Sequence, residues 1–161
     1  MISQTSEYAL RAAVFLATRA DETPASAQEI SEAVRVPVGY LQKILRMLAR
    51  HDILVAQRGT NGGFYLAKVA TAISILDVLN ASDTNIQRIT GCPLGIKGHT
   101  SLCALHRLLD DEFARTEKTF AATTLADLLD GEGGVRPLCD PMGRLPLSVT
   151  VDQSTKKIKA K

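Results

Sequence analysis

Two cysteines and two histidines lie within one fifteen-residue stretch, in the order C-x6-H-x3-C-x2-H: Cys92, His99, Cys103 and His106. Thiolates and imidazoles are the usual ligands of zinc and of iron-sulfur clusters. The last two residues would stand one turn apart on a helix and could face one metal, while the first two approach from a glycine-rich loop. The set could hold a [2Fe-2S] cluster of mixed ligation, or a tetrahedral zinc ion, although this spacing is not a common zinc spacing.

Metal binding is not the only interpretation of these residues. A metal-free thiol sensor is a second one, and ordinary small buried cysteines with a surface histidine on a helix are a third. The remaining cysteine, Cys139, stands beyond Pro137 in a tail, and we expect it to have no role unless that tail folds back. Three cysteines are too few and too odd a number for a disulfide scaffold, so reduced thiols or ligands are expected.

The elements that must position these side chains are predicted to be mainly helical. Apolar spacing predicts a first helix over about residues 6–19, and Ser26 followed by Glu29 forms a capping box that starts a second helix near Ala27. After a corner at residues 35–36, Pro37 falls in the first turn of a third helix that reaches about His51. The predicted core stripe of this helix is Leu41, Ile44, Leu45 and Leu48, with Tyr40, Gln42, Lys43, Arg46, Met47 and Arg50 on its other side.

Two short strand-like runs follow the third helix. They are residues 53–57 and 63–67, and we expect Asn61-Gly62 between them to supply the positive φ angles of a tight hairpin. Two helices joined by a tight corner and followed by such a hairpin predict a winged helix-turn-helix, whose second helix enters the major groove of DNA.

Charge is concentrated in the same region. The chain has a net charge of +2, whereas residues 35–68 hold six basic side chains and one acidic one, a net charge of +5. A local excess of this kind is expected where phosphates are neutralised, although it could also be a solvated basic face. The candidate DNA-contacting residues are Val38, Tyr40, Gln42, Lys43, Arg46, Arg50, Arg58 and Asn61.

The rest of the chain suggests a sensor and a dimer. Ser74 and Asp77 predict the cap of a fourth helix, residues 85–100 form a loop, and residues 101–120 form a long apolar helix that we expect to be shared with a second subunit. A short helix covers residues 124–129. The predicted divisions are a winged-helix domain (1–83), a sensor loop (84–100), a dimerisation helix with a short C-terminal helix (101–130) and a weakly structured basic tail (131–161).

Composition excludes several classes of protein. No run of 18 or more apolar residues exists, and Glu7 and Arg11 interrupt the segment where a signal peptide needs an uncharged core, so we predict a soluble cytoplasmic protein with no membrane partner. The sequence also lacks a glycine-rich phosphate loop and a G-x-S-x-G elbow, so no enzyme is predicted.

Several motifs together resemble a known family. They are SEYALRAAVFLA, VGYLQKILRMLARHDIL, RGTNGGFYLA, ISILDVLNA and TLADLL. Over about residues 1–130 the chain resembles the IscR, NsrR and CymR type of bacterial winged-helix transcription regulator (the Rrf-two family). The resemblance implies a dimeric repressor or activator, and many such proteins hold an iron-sulfur cluster between the winged-helix domain and the long dimerisation helix.

The resemblance also implies a ligand set, which this chain matches incompletely. Cys92 and Cys103 match the outer two of three cysteines, His106 matches a histidine ligand, and Glu7 matches an acidic ligand supplied by the partner's first helix. The middle cysteine is missing: residues 96–98 are Ile-Lys-Gly, and His99 stands just beyond.

We therefore predict a homodimeric regulator that binds palindromic double-stranded DNA. Its promoter binding would respond to a [2Fe-2S] cluster, another metal such as zinc, or thiol state in the loop from Cys92 to His106. The alternatives are a metal-free regulator that acts through protein partners and a winged-helix module for protein interaction.

Overall fold

The structure, a computed structural model, describes residues 2–19, 23–82, 84, 86–91 and 101–130. The predictions for Cys92, His99, Cys139 and the tail from residue 131 lie outside the described residues. Within them the elements are α1 (Gln4–Ala17), α2 (Ala27–Val34), α3 (Val38–Arg50), β1 (Leu54–Gln57), β2 (Gly63–Leu66), a short 3₁₀ turn (Ala70–Ala72), α4 (Ile75–Ala81), α5 (Ala104–Ala122) and α6 (Leu125–Leu129). The predicted fold class, mainly helical with one small hairpin, is confirmed.

Hydroxyl side chains start four of the helices. Ser3, Ser26, Ser74 and Thr124 each accept a hydrogen bond from a backbone N–H in the first turn that no helical carbonyl can reach. The predicted reciprocal box at Ser26 forms only in half. Glu29 N donates to Ser26 Oγ at 3.1 Å, whereas the Glu29 carboxylate pairs with Arg19.

Helices α1 to α4 and α6 share one core. The predicted stripe on α3 is confirmed, because Leu41, Ile44, Leu45 and Leu48 are all buried. Met47, which we predicted on the outer side of α3, instead packs partly buried against this core. Leu125 of α6 is fully buried in the same core, and its N–H donates to Ile73 O at 2.9 Å. The chain therefore leaves the core along α5 and returns to it at α6.

The corner between α2 and α3 begins with a residue in the left-handed conformation. Arg35 has φ 55° and ψ 48°, which stops α2. Ser31 then ties the corner: its hydroxyl donates to Val36 O at 2.6 Å, and its carbonyl accepts from Val36 N at 3.2 Å. Pro37 is the cap residue of α3 rather than a member of its first turn, so the predicted start was early by one residue.

The hairpin forms as predicted, but its turn does not. β1 and β2 pair antiparallel from Leu54↔Leu66 to Gln57↔Gly63. The positive φ, 112°, belongs to Gly59, so our assignment of that role to Asn61-Gly62 was wrong. Gly63 has a different role. Ala25 forms a bridge to β2, and a Cβ at position 63 would stand only 2.4 Å from the carbonyl oxygen of Ala25.

Helix α5 begins later than predicted and leaves apolar side chains uncovered. It starts at Ala104, and Cys103 is its cap residue, because Ser101 to Cys103 are not helical. None of its nineteen residues is fully buried, and Leu105 and Leu108 are 61% and 60% exposed. Among the described helices, none combines the length and apolar character that a membrane span requires.

Replacing Gly63 with alanine should destabilise the fold, because the new methyl group would meet the backbone of Ala25. We expect the free energy of unfolding to fall by about 1–3 kcal/mol, the usual cost of overpacking against atoms that cannot move aside. Urea unfolding followed by circular dichroism measures this loss.

The matched control is Gly91→Ala, since a Cβ at Gly91 has no atom within 4 Å. Its unfolding midpoint should equal or slightly exceed that of the unaltered protein. Equal midpoints for the two variants would show that the contact between β2 and Ala25 is not tight.

Candidate nucleic-acid interface and metal site

The side of α3 opposite its core stripe is polar and basic. Its exposed residues include Gln42, Lys43, Arg46 and Arg50. The hairpin, which packs against α3 through β1, exposes Arg58 and Asn61 in its loop. The residues that the sequence predicted to face solvent here do so, Met47 excepted.

These charges have no acidic partner among the described residues. In the part of the chain that the structure describes, no ion pair involves a basic residue of α3 or of the hairpin. The ion pairs found among the described residues are Glu7–Arg11, Arg19–Glu29, Arg88–Asp110 and Glu112–Arg115. An uncompensated cationic surface attracts polyanions, and it releases their counterions on binding.

Tyr40 differs from its neighbours because its hydroxyl is already engaged. It shares a hydrogen bond of 2.6 Å with Thr5 Oγ1, and its ring meets that of Tyr8 edge to face with centroids 6.0 Å apart. These contacts tie the first turn of α3 to α1. Tyr40 is still 38% exposed, so it links α3 to α1 and leaves part of its surface open to solvent.

Gly39 is a residue of this face that the sequence reasoning missed. A Cβ at this position would have no atom within 4 Å, and its φ is not positive, so the protein's own packing does not require glycine. Glycine in a helix costs about 0.5–1 kcal/mol relative to alanine. The signal in the sequence was a glycine inside an otherwise helical pattern, which indicates a packing or functional reason. At Gly39, the backbone is open to close approach from outside.

The structure brings together one predicted pair of ligands. Cys103 Sγ lies 3.3 Å from His106 Nδ1, as expected for residues one turn apart at the start of α5. Cys103 is exposed and His106 is half-buried, so an incoming ion or oxidant can reach the thiol. Among the described residues, no group of three or more histidine, cysteine, aspartate or glutamate side chains is placed to hold a metal. The pair fits two positions of a cluster or zinc site, and any further ligand must come from elsewhere.

Glu7, the predicted acidic ligand, is engaged in its own helix. Its carboxylate pairs with Arg11, which also lies 5.5 Å from the centre of the Tyr8 ring and donates to Val34 O at 3.5 Å. The Arg11 pair uses Oε1 of the Glu7 carboxylate.

A second interaction near the predicted sensor was not foreseen from sequence. Asp110 of α5 accepts two hydrogen bonds from Arg88, each 2.7 Å long, and a third from Ile89 N at 2.8 Å. The Arg88 guanidinium and then the Ile89 N–H lower the pKa of Asp110 to about 2. The segment before Cys92 is thereby tied to α5.

A cavity of about 540 Å³ lies between this segment and α5. Apolar side chains dominate its walls, together with two threonines and a glutamine. The lining residues are Ile2, Leu79, Thr84, Ile86, Gln87, Phe113, Thr116 and Phe120.

Comparison with known proteins agrees with this architecture. Residues 2–131 match the family model described as Rrf2, iron-dependent transcriptional regulator. The chain is 34% identical over 134 residues to an HTH-type transcriptional regulator of Mycobacterium tuberculosis strain H37Rv, covering 81% of each chain. An HTH-type regulator of Azotobacter vinelandii is 28% identical over 130 residues, covering 80% of this chain and 78% of that one.

Two solved structures show the same fold. CymR (YrzC), the global cysteine regulator of B. subtilis, superposes with a TM-score of 0.69 at 23% identity, over 80% of this chain and 95% of that one. T. potens IscR superposes with a TM-score of 0.66 at 21% identity, over 81% and 86%. Both similarities confirm the winged-helix regulator fold.

The contacts of Asp110 predict a pH dependence of stability. Because the pKa of Asp110 in the folded state lies below its ordinary value of 3.8, its ion pair with Arg88 contributes fully above about pH 4. The contribution is lost as the pH falls through about 2. Free energies of unfolding for the unaltered protein and Asp110→Asn, measured in urea from pH 6 to 2, should differ by a constant amount at first and converge below pH 4.

The matched control is Asp111→Asn, which removes the same charge from an exposed position that has no hydrogen bond to Arg88. This variant should not reproduce the convergence. A constant difference between Asp110→Asn and the unaltered protein down to pH 2 would contradict the assignment.

Proposed function

The chain belongs to the Rrf2 family of transcriptional regulators, and on that premise we propose that it acts as a cytoplasmic homodimer that binds a palindromic promoter site. Family membership places it among regulators of transcription rather than enzymes. The observation that carries the proposal is the exposed basic surface of α3 and the hairpin, which no described acidic side chain neutralises.

In this proposal α3 lies in the major groove. Val38, Gln42 and Lys43 stand in its first half, where the recognition helix of such proteins contacts base edges. Arg46 and Arg50 follow on later turns and would bind backbone phosphates, which position the helix without reading sequence. Support comes from the buried stripe of α3, which leaves Gln42, Lys43, Arg46 and Arg50 exposed, while Val38 is half-buried.

The hairpin would form the wing. Arg58 and Asn61 are exposed at its tip, and Gly59 provides the turn that projects them. An arginine in this place can bind a phosphate or enter a narrow minor groove, whose negative potential attracts cations.

The dimer would form through α5. Leu105, Leu108, Leu109 and Phe113 are between 40% and 61% exposed in one chain, which is costly for large apolar side chains unless a second copy covers them. Two copies related by a two-fold axis would present two α3 helices to major grooves about 34 Å apart. The predicted divisions at residues 83, 100 and 130 stay part of this proposal, with α6 anchored in the winged-helix core.

We also propose that promoter binding responds to chemistry at Cys103 and His106, with Cys92 and His99 as further ligands. A bound [2Fe-2S] cluster would supply a redox-sensitive group, and zinc would supply a structural one. The iron-dependent description of the family model and the similarity to IscR favour a metal. The similarity to CymR, solved also in an oxidized form from Staphylococcus aureus, favours a metal-free thiol.

A different class of function is a winged-helix module that binds proteins only. The net charge of +5 over residues 35–68 disfavours it, because an interaction module has no need for concentrated positive charge.

Replacing Arg58 with alanine should weaken binding to every DNA sequence and flatten its salt dependence. Removal of one phosphate contact should reduce the slope of log K against log salt by about 0.9. Fluorescence anisotropy with a duplex from the protein's own upstream region, at several salt concentrations, measures both quantities.

Arg115→Ala is the matched control, because Arg115 is an exposed arginine on α5 that pairs with Glu112. It should leave affinity and slope unchanged. Unchanged binding by Arg58→Ala would remove the hairpin from the interface, and absence of specific binding with and without metal would overturn the regulator proposal.

The sensor proposal predicts visible absorbance in anaerobically purified protein. Charge-transfer bands would identify a cluster, and Cys103→Ser should abolish them because the thiolate is a ligand. Cys139→Ser is the control and should retain them. A colourless protein that contains no zinc would overturn the proposal of a bound metal. A metal-free thiol sensor, or no cysteine chemistry, would then remain.

A further inference from the structure

We propose that Gly39 is a specificity-determining residue of the DNA interface, because the absence of a side chain there lets the first turn of α3 lie close to base edges. The inference rests on the proposed function, in which α3 occupies the major groove. Three properties of Gly39 carry it: its position on the helix, the empty space around it and its conformation.

Gly39 lies at the centre of the outward face of α3. With 3.6 residues per turn, it stands about 180° around the helix from Leu48, which is fully buried. The exposed residues Lys43, Arg46 and Arg50 follow it after four, seven and eleven positions, spacings that keep to one face of a helix. The basic stripe of α3 therefore begins with a residue that has no side chain.

The two residues beside Gly39 leave this centre uncovered. Val38 is half-buried, and Tyr40 is tied to α1 by its 2.6 Å hydrogen bond with Thr5 and its ring contact with Tyr8. Their side chains stand about 100° away on either side of the helix. Gly39 is exposed, and a Cβ there would have no atom within 4 Å. The backbone of the first turn is thus open on the side that would meet DNA.

Nothing in the part of the chain that the structure describes requires glycine at this position. Gly63 is required by its close approach to Ala25, and Gly59 by its φ of 112°. Gly39 has neither reason, because its φ is not positive and its surroundings are empty. A glycine that weakens a helix without serving the fold is expected where the surface of another molecule needs the space.

Close approach matters more for base contacts than for phosphate contacts. A hydrogen bond needs its donor and acceptor about 2.7–3.2 Å apart, so Gln42 can pair with a base edge only when the helix lies deep in the groove. Lys43, Arg46 and Arg50 have longer stems, which can still reach a phosphate when the helix moves outward by the width of a methyl group. Gly39 therefore determines discrimination between sequences rather than the general attraction to DNA.

The test compares two duplexes of equal length. One is the duplex that the unaltered protein selects from a random-sequence library, and the other is a scrambled version of it. Fluorescence anisotropy measures both affinities. We expect Gly39→Ala to bind the selected duplex about tenfold more weakly, the contribution of one base contact, and the scrambled duplex within about twofold of the unaltered protein. Its unfolding temperature should stay equal or rise by up to about 4 °C, because alanine favours a helix.

A larger substitution separates the need for space from a need for flexibility. Gly39→Leu should bind the selected duplex about a hundredfold more weakly, because leucine fills more of the gap although it is also a good helix former. If glycine served only to keep the first turn flexible, alanine and leucine would lower the affinity equally. Equal losses for the two variants would overturn the inference.

Two further variants are controls. Gly91→Ala makes the same chemical change at an exposed glycine outside α3, where a Cβ also has no atom within 4 Å, and it should alter neither affinity. Arg46→Ala should weaken binding to both duplexes by a similar factor, because it removes a phosphate contact.

Equal affinities of Gly39→Ala and the unaltered protein for the selected duplex would overturn the inference and leave the proposed function intact. An equal loss on the selected and scrambled duplexes would also overturn it, because Gly39 would then affect general attraction. If the unaltered protein selects no sequence from the library, the proposed function fails and the inference fails with it.

Discussion

Burial of one apolar stripe of α3 is the constraint on which the rest of the structure depends. Leu41, Ile44, Leu45 and Leu48 are each at most 1% exposed, and fully burying such a side chain contributes about 1.5–3 kcal/mol. Exposed ion pairs contribute about 0–1 kcal/mol, which is too little to turn α3 about its axis and expose this stripe. The orientation of the basic side chains is therefore set by packing, and no ion pair among the described residues engages them. The contacts of Tyr40 with α1 reinforce that orientation.

Helix α5 is joined to this core at its C-terminal end. There Ile75 N donates to Thr123 O, the cap residue of α5, and Leu125 of the following α6 is buried, whereas Asp110 in the first half of α5 binds Arg88 and Ile89. A cavity lined partly by Phe113, Thr116 and Phe120 lies between these two points, and the exposed leucines of α5 precede Asp110. If chemistry at Cys103 changes promoter binding, as proposed, α5 is the element that connects this residue to the winged-helix core.

Local patterns predicted most of the fold. The caps at Ser26 and Ser74 and the stripe of α3 rest on spacing within a few residues, so the sequence displays them. The turn prediction failed because Asn61-Gly62 and Gly59 both suit a hairpin, and residue type alone does not show which of them takes the positive φ. The Arg88–Asp110 pair joins residues twenty-two apart without any repeating pattern. Such contacts follow from tertiary packing, which the sequence alone does not display.

Photocrosslinking tests most directly whether the outer surface of α3 and the hairpin contacts DNA. Benzoylphenylalanine would be incorporated at Gln42, at Arg58 or, as the control, at Arg115 of α5, and each protein would be irradiated with its own upstream duplex. We expect crosslinks from the first two positions and none from the third, with loss of the crosslinks in excess unlabelled specific duplex. Crosslinks from position 115, and none from 42 and 58, would contradict the claim.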